Sequence, residues 1–172
     1  ERTLTMKKPS TAFSCTLILP LSPPPGGAAD TRDDENVQIP APWTDYDGVE
    51  EAEAGTCLDI IAPERVGDYE FDFVRVFDDG MLELFYTGEN GSSVSIRKAE
   101  GSGDISGDYN EYAETGTLDA AGTQVTVKGD GSGISLALWS ADGYTYAIGA
   151  HDGGLAEAEV IEAVSAMSAE AA

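Results

Sequence analysis

Residues 133–150 read GISLALWSADGYTYAIGA, two apolar-rich runs joined by Asp142-Gly143. An Asp-Gly pair between such runs predicts a β-hairpin with a type I′ turn, because both central residues of that turn need a positive φ. A two-residue loop then fixes the expected cross-strand pairs, which are Trp139 with Tyr146, Ala137 with Ile148, and Leu138 with Ala147.

Both faces of this hairpin carry apolar side chains, because successive side chains alternate across a strand. One face takes Trp139, Tyr144, Tyr146 and Ile148, and the other takes Ile134, Leu136, Leu138 and Ala147. We therefore expect a sheet that is covered on both sides, with a helix on the Leu136/Leu138 face and loop aromatics on the Trp139/Tyr146 face. The candidate ligand or partner surface consists of Trp139, Tyr144 and Tyr146.

A three-strand meander is predicted earlier in the chain, over residues 70–78, 81–87 and 92–98, with turns at Asp79-Gly80 and Asn90-Gly91. Two-residue loops at both turns would pair Phe77 with Leu82, Val74 with Phe85, Phe85 with Ile96, Thr87 with Val94, and Glu83 with Lys98. The last of these pairs is a cross-strand charge match.

A short helix is predicted before the meander. Asp47 followed by Glu50 resembles a capping box that opens a helix through Ala54, with Gly55 as its stop. Residues 57–62 then predict a strand, which Pro63 ends.

The rest of the chain completes an α+β fold. Residues 100–118 are irregular, residues 124–128 predict a strand before the glycine-rich turn at 129–133, and residues 155–167 predict an amphipathic helix. The apolar stripe of that helix consists of Val160, Ile161, Val164 and Met167. We expect a single antiparallel meander of about six or seven strands, with a short N-terminal helix and the C-terminal helix packed on it.

The N-terminal part has the outline of a secretory leader. Met6-Lys7-Lys8 is basic, and the apolar run that follows is too short to span a bilayer. Pro25 stands where a lipoprotein leader would have its cysteine, so acylation is not predicted. We expect residues 1–27 to be a degenerate secretory or lipoprotein-like leader, 28–42 an acidic flexible tether, 43–168 the α+β domain and 169–172 a tail; the alternative for the leader is a disordered N-terminus. Glu1–Thr5 lie upstream of the first methionine and have no assigned role.

Composition limits the classes of partner. The formal net charge of −23 argues against nucleic acid and anionic membrane surfaces, and it is compatible with cationic partners and with solubility outside the cytoplasm.

The chain has two cysteines, Cys15 and Cys57. Cys15 falls in the predicted leader, so Cys57 is expected to be a buried small hydrophobe without a disulfide. We expect no integral membrane span and a monomer.

No motif assigns catalytic, cofactor or metal residues. The spacing of Asp104, Ser106, Asp108 and Asn110 suits early calcium ligands, but Tyr109 and Thr115 stand where that loop needs Gly and Glu. An ordinary loop is therefore expected, with Tyr109 and Tyr112 packed back on the sheet.

The glycines at 129–133 precede a strand and not a helix, which excludes a phosphate loop. His151, the single histidine, is expected to be a loop residue.

Together these elements resemble the DUF4367 domain, over roughly residues 43–167. The resemblance is carried by the Trp-containing start, the short helix ending at Gly55, the meander, LWSADGYTYAI and the C-terminal helix. It implies an extracytoplasmic bacterial, largely Firmicute, domain of secreted, lipoprotein-like or anti-sigma-factor-associated proteins, with no catalytic residues to carry over. The transmembrane helix and sigma-binding segment of the anti-sigma-like members have no counterpart in the sequence.

The predicted function is that of a non-enzymatic, extracytoplasmic domain that binds a protein, peptide or envelope ligand. A first alternative is a sensor or regulatory domain of an envelope-stress system that acts through a partner. A second is a carboxylate-dependent hydrolase, which would need two facing carboxylates in a deep pocket, one with a raised pKa.

Overall fold

An antiparallel sheet dominates the computed structural model, which describes residues 42–77 and 80–168. In these residues the strands are β1 (Trp43–Tyr46), β2 (Arg65–Val66), β3 (Tyr69–Phe77), β4 (Met81–Thr87), β5 (Ser93–Glu100), β6 (Glu114–Ala120), β7 (Thr123–Gly129), β8 (Ile134–Ala141) and β9 (Tyr144–Ala150). The helices are α1 (Val49–Ala54) and α2 (Glu157–Ser168). The α+β class with one helix near each end is confirmed. The predicted leader and tail, and the predicted tether except for Pro42, lie outside the described residues.

The sheet consists of two consecutive meanders that meet at β5 and β9. Its order is β1-β3-β4-β5-β9-β8-β7-β6, and β2 pairs with β3. The predicted hairpin is confirmed residue by residue, with Trp139 opposite Tyr146. Asp142 (φ 52°) and Gly143 (φ 85°) both adopt the positive φ that the tight turn requires.

The predicted strand count was too low, because the sheet of the described residues has nine strands. β1, β2 and β6 were not predicted; β6 lacks the alternating apolar pattern and falls in the segment expected to be irregular. The strand predicted at 57–62 is wrong. The backbone N–H groups of this segment bond to nearby side chains and not to a neighbouring strand. The Ile60 N–H donates to Glu53 Oε1, and the Leu58 N–H donates to Thr56 Oγ1.

The helix predicted near the N-terminus is present and ends at Ala54 with Gly55 as its C-cap, as predicted, but its predicted N-terminal capping box is not formed. Gly48 is the N-cap and makes no side-chain capping bond, so the Asp47/Glu50 capping box does not form. Gly55 follows the helix with φ −88°, outside the left-handed region. Ala52, on the inner side of this helix, is fully buried.

The predicted register of the first meander is wrong by one residue at each turn. Phe77 pairs with Met81 and Thr87 with Ser93, so both connections are longer than two residues. A 3₁₀ turn at Glu89–Gly91 occupies the second connection. A slip of one residue changes every cross-strand partner as well as the side chains that share a face. Glu83 therefore lies opposite Arg97 and not Lys98.

The two faces of the sheet differ in chemistry. The helix face contains the main apolar core, including Leu84, Ile96, Trp139 and Ile148, together with the buried side chains of α2. The back face carries the alternate residues, among them Glu83, Ser95, Arg97 and Leu136. The expectation that the helix would cover the Leu136/Leu138 face is therefore wrong: α2 packs in the same core as Trp139. The sequence could not select the face, because both faces of the hairpin carry apolar side chains.

An ion triad of Glu83, Arg75 and Arg97 lies at the centre of the back face. Glu83 is fully buried and accepts bonds from Arg75 Nε (2.5 Å) and Arg97 Nε (2.8 Å). The Arg75 guanidinium lies 4.2 Å from the centroid of the Trp43 ring and 4.6 Å from that of Phe85. Arg97 Nη1 also donates to the carbonyls of Ile105 and Ser106. The triad thus fixes the loop between β5 and β6 against the sheet.

Three glycines make a close backbone contact where the glycine-rich turn meets the segment before α2. Ile134 and Leu155 exchange backbone hydrogen bonds of 2.8 and 2.9 Å, which brings Gly133 against Gly154. A Cβ on Gly154 would lie 2.5 Å from Gly133 Cα, and one on Gly129 would lie 2.1 Å from the Gly133 carbonyl oxygen. Gly129 and Gly133 of this turn, together with Gly154, therefore allow the close packing of the two segments.

We expect Gly154→Ala to lower the free energy of unfolding by about 2–3 kcal/mol, because backbone must move to admit the methyl group. Urea unfolding followed by circular dichroism measures the change. Gly103→Ala is the matched control, since a Cβ at Gly103 meets no atom within 4 Å. Equal stability of the two variants would contradict the contact.

Candidate functional site

The three predicted surface aromatics lie together in a cleft on the helix face. We call this the aromatic cleft; its volume is about 580 Å³. The β8–β9 hairpin forms one wall, and the segment Asp59, Ile60 and Ile61 forms another. Met167, near the C-terminal end of α2, also lines it. The cleft therefore joins three parts of the chain that are distant in sequence.

Within the cleft the aromatic residues differ in exposure. Trp139 is 5 % exposed and stacks on its cross-strand partner Tyr146, with ring centroids 5.0 Å apart and planes 3° from parallel. Tyr144 and Tyr146 are half-buried, and Ile61 is 36 % exposed. Trp139 thus forms the floor, while the two tyrosines and Ile61 offer surface to a ligand.

Lys98 is one of the residues of this site that were not predicted from the sequence, with Asp59, Ile61 and Asp142. It is 5 % exposed, and its Nζ donates to the Asp59 carbonyl. The same nitrogen lies 4.2 Å from the centroid of the Tyr144 ring and 5.6 Å from that of Tyr146. The true register pairs Lys98 with Tyr146. Correct turn lengths would have been needed to find it, since nothing in the local pattern of β5 marks this lysine.

Two carboxylates stand at the mouth of the aromatic cleft. The Asp59 side chain is 91 % exposed, with Oδ1 3.8 Å from Lys98 Nζ, and Asp142 is exposed at the tip of the hairpin. Burial raises the pKa of Tyr146 above its ordinary value, and the charges of Asp59 and Asp142 raise it further. The mouth therefore carries two exposed carboxylates, and Lys98, the one cation among the described lining residues, is buried within ion-pair distance of Asp59.

A second cavity, of about 420 Å³, lies between the back face and the β5–β6 loop. In it His151 Nε2 lies 3.1 Å from the Oγ of Ser95, and the His151 ring is parallel to Phe85 at 6.1 Å. His151 follows β9 and is exposed, as expected of a loop residue. Tyr109 is 96 % exposed at the cavity edge, so the expectation that it packs on the sheet is wrong.

The carboxylates of Asp104 and Asp108, whose spacing suits calcium ligands, bond to groups of their own loop. Asp104 Oδ1 accepts from the N–H and hydroxyl of Ser106, and Asp108 accepts from the Asn110 N–H and the Tyr112 hydroxyl. Burial raises the pKa of Asp108, but these bonds and the charge of Lys128 outweigh it and leave that pKa below its ordinary value. Across residues 42–77 and 80–168, no group of three or more His, Cys, Asp or Glu side chains is placed to hold a metal ion.

Cys57 differs from its prediction in two ways. It is exposed and not buried, because it lies in the irregular segment after α1 and not in a strand. It is also not a free thiol, since the part of the chain that the structure describes has no free cysteine. The expectation of a lone buried thiol is therefore wrong.

No family model matches the chain, and no curated protein or solved structure is significantly similar to it. The resemblance to DUF4367 thus stays a prediction. Within the described residues, neither helix has the length and apolar character needed to cross a membrane.

Proposed function

We propose that this chain is a non-enzymatic, extracytoplasmic domain that binds a segment of a protein or peptide partner in the aromatic cleft. The observation that carries the proposal is the combination of two half-buried tyrosines and exposed Ile61 in a concave site with carboxylates at its mouth. Concave sites lined by aromatic and aliphatic side chains with a few polar groups are the usual places of ligand binding.

The charges of the cleft favour a partner segment that is both apolar and basic. Lys98 lies against Tyr144 and would repel a cation placed deep in the cleft, so the apolar part of the ligand belongs there. Asp59 and Asp142 are positioned to meet a Lys or Arg side chain at the mouth. The net charge of −23 steers basic partners toward the whole domain.

An extracytoplasmic location is supported by the leader outline, the acidic composition and the resemblance to DUF4367. A regulatory role in an envelope-stress system would use the same binding step. It would differ in the partner, which would be a component of that system.

The proposal is tested with synthetic peptides and the intrinsic fluorescence of Trp139, measured in a Trp43→Phe background because Trp43 would otherwise contribute to the signal. A peptide that alternates Leu or Phe with Lys should bind, and the same peptide with Glu in place of Lys should not. We expect Tyr144→Ala to weaken binding about tenfold, the equivalent of about 1.4 kcal/mol. We expect Asp59→Asn with Asp142→Asn to weaken it and to reduce its dependence on salt.

Tyr109→Ala is the matched control, because that tyrosine is 96 % exposed and lies at the other cavity. A preference for the acidic peptide, or equal binding by the Tyr144→Ala and Tyr109→Ala variants, would refute the proposal. Failure of every peptide to bind would refute it as well.

A further inference from the structure

We propose that β6 is a docking edge, to which a partner adds an extended basic segment as a further strand. β6 pairs with β7 over its whole length, from Glu114 with Gly129 to Ala120 with Thr123, without a bulge. It ends the sheet, and no described residue pairs with its other side. The four residues Glu114–Thr117 are all exposed.

This edge has some but not all of the features that usually prevent strand addition. Natural edge strands are protected by charged side chains (especially Lys), Pro, bulges, very short length or a covering helix or loop. β6 carries the carboxylates Glu114 and Asp119, and α2 contacts it, but it has no bulge over its seven residues. The sequence of β6 is ETGTLDA, with neither Lys nor Pro. The opposite end of the sheet, β1, has only four residues. β6 is therefore the edge better suited to pairing with an added strand.

A depression beside β6 offers a place for a side chain of the added strand. Its volume is about 370 Å³, and it lies over Gly116, where β6 has no side chain. Val127, Ile134 and Leu155 supply apolar lining. In strand addition, main-chain hydrogen bonds give affinity while pockets that accept alternate side chains give specificity.

The charges around the depression identify the side chain that fits. Glu114 and Glu157 line it, with Lys128 as the one cation among the lining residues. A Lys or Arg of the partner can place its aliphatic stem on the apolar lining and its charged group beside the two glutamates. The occupant is therefore a basic extended segment.

A second copy of this chain fits the edge poorly. Each copy carries a net charge of −23, and pairing two β6 strands would place two acidic edges side by side. Like charges across a strand pair are destabilising. The depression lies at the Glu114 end of β6, whereas the aromatic cleft borders the other end at Ala121 and Thr123. The inference does not rest on the function proposed for the cleft.

The test uses a fluorescein-labelled peptide of seven residues that alternates Lys with Val or Thr, titrated with the full chain and followed by anisotropy. A peptide with a central Pro is the comparison, because Pro cannot donate a ladder hydrogen bond. We expect binding only without Pro. Amide hydrogen exchange should then show new protection in β6, and Tyr144→Ala should leave binding unchanged.

Variants of the depression make the test specific. Glu114→Gln with Glu157→Gln should weaken binding about tenfold. Gly116→Ala should also weaken it by partly filling the depression, without unfolding the chain, since its Cβ would lie 3.6 Å from Val127 Cγ2. Glu162→Gln, an exposed carboxylate elsewhere on α2, is the control and should change nothing.

Three results would overturn the inference. One is equal binding of the Pro peptide, and another is protection at the aromatic cleft in place of β6. The third is a dimer of the free chain in sedimentation, with β6 protected at its interface. Loss of binding in Tyr144→Ala alone would assign the peptide to the cleft, so the two proposals fail separately.

Discussion

Glu83→Gln is expected to lower the free energy of unfolding by about 3 kcal/mol, toward the lower end of the range for breaking a buried ion pair. The carboxylate is fully buried and bonds to the Nε atoms of Arg75 and Arg97. An amide at this position keeps one acceptor and brings an NH₂ group toward two cations. Since the Arg75 and Arg97 side chains are 26 % and 17 % exposed, solvent offsets part of the loss.

Chemical unfolding of the purified variant measures this change. Glu100→Gln is the control, because Glu100 is an exposed carboxylate on the next strand, and it should stay within about 0.5 kcal/mol of the parent. A loss below about 1 kcal/mol for Glu83→Gln would show that the triad is structurally dispensable. The β5–β6 loop should also exchange its amide hydrogens faster, because Arg97 fixes that loop.

Tyr86→Ala is expected to cost about 3–5 kcal/mol, the range for removing a large buried aromatic side chain. Tyr86 is fully buried on the helix face and packs edge to face on Phe71 at 5.7 Å. Its hydroxyl donates to the Pro63 carbonyl at 2.9 Å, which ties the irregular segment before β2 to the sheet. Thermal and urea unfolding measure the loss, with exposed Tyr109→Ala as the control.

Tyr86→Phe separates the hydrogen bond from the packing and should cost about 1–1.5 kcal/mol. Burial raises the pKa of the Tyr86 hydroxyl. A raised folded-state pKa stabilises the protein below the unfolded value of about 10, and this stabilisation is lost as pH rises through the folded value. The parent should therefore lose stability above pH about 10 more steeply than Tyr86→Phe. Parallel pH profiles would contradict this assignment.

Turn chemistry explains which parts of the fold the sequence predicted. Asp142-Gly143 forms the two-residue loop that its residue types favour, so the register of β8 and β9 was predictable. Asn90-Gly91 also has positive φ at both residues, yet it lies inside a longer connection with a 3₁₀ turn. The dipeptide thus marks where the chain turns but not how many residues the loop contains.

The candidate site was predictable only where one hairpin supplies it. Trp139 and Tyr146 are cross-strand partners, so their contact followed from the hairpin register. Lys98 and Ile61 reach the cleft through a shifted register and an irregular segment, neither of which hydrophobic periodicity specifies. The apolar stripe of α2 predicted packing on a sheet, but amphipathicity alone does not select the face.

The junction of the two meanders at β5 and β9 has a consequence for how the chain folds. Apart from the β1–β3 pair, pairing strands within each meander are joined by short connections, so those contacts close quickly. Pairing β5 with β9 must instead close the chain between Glu100 and Tyr144, which costs more entropy. α2 contacts both β2 and β6, one strand from each meander, and therefore clamps this junction once it forms. We expect the two meanders to behave as separate cooperative units whose association, completed by the last helix, limits the folding rate.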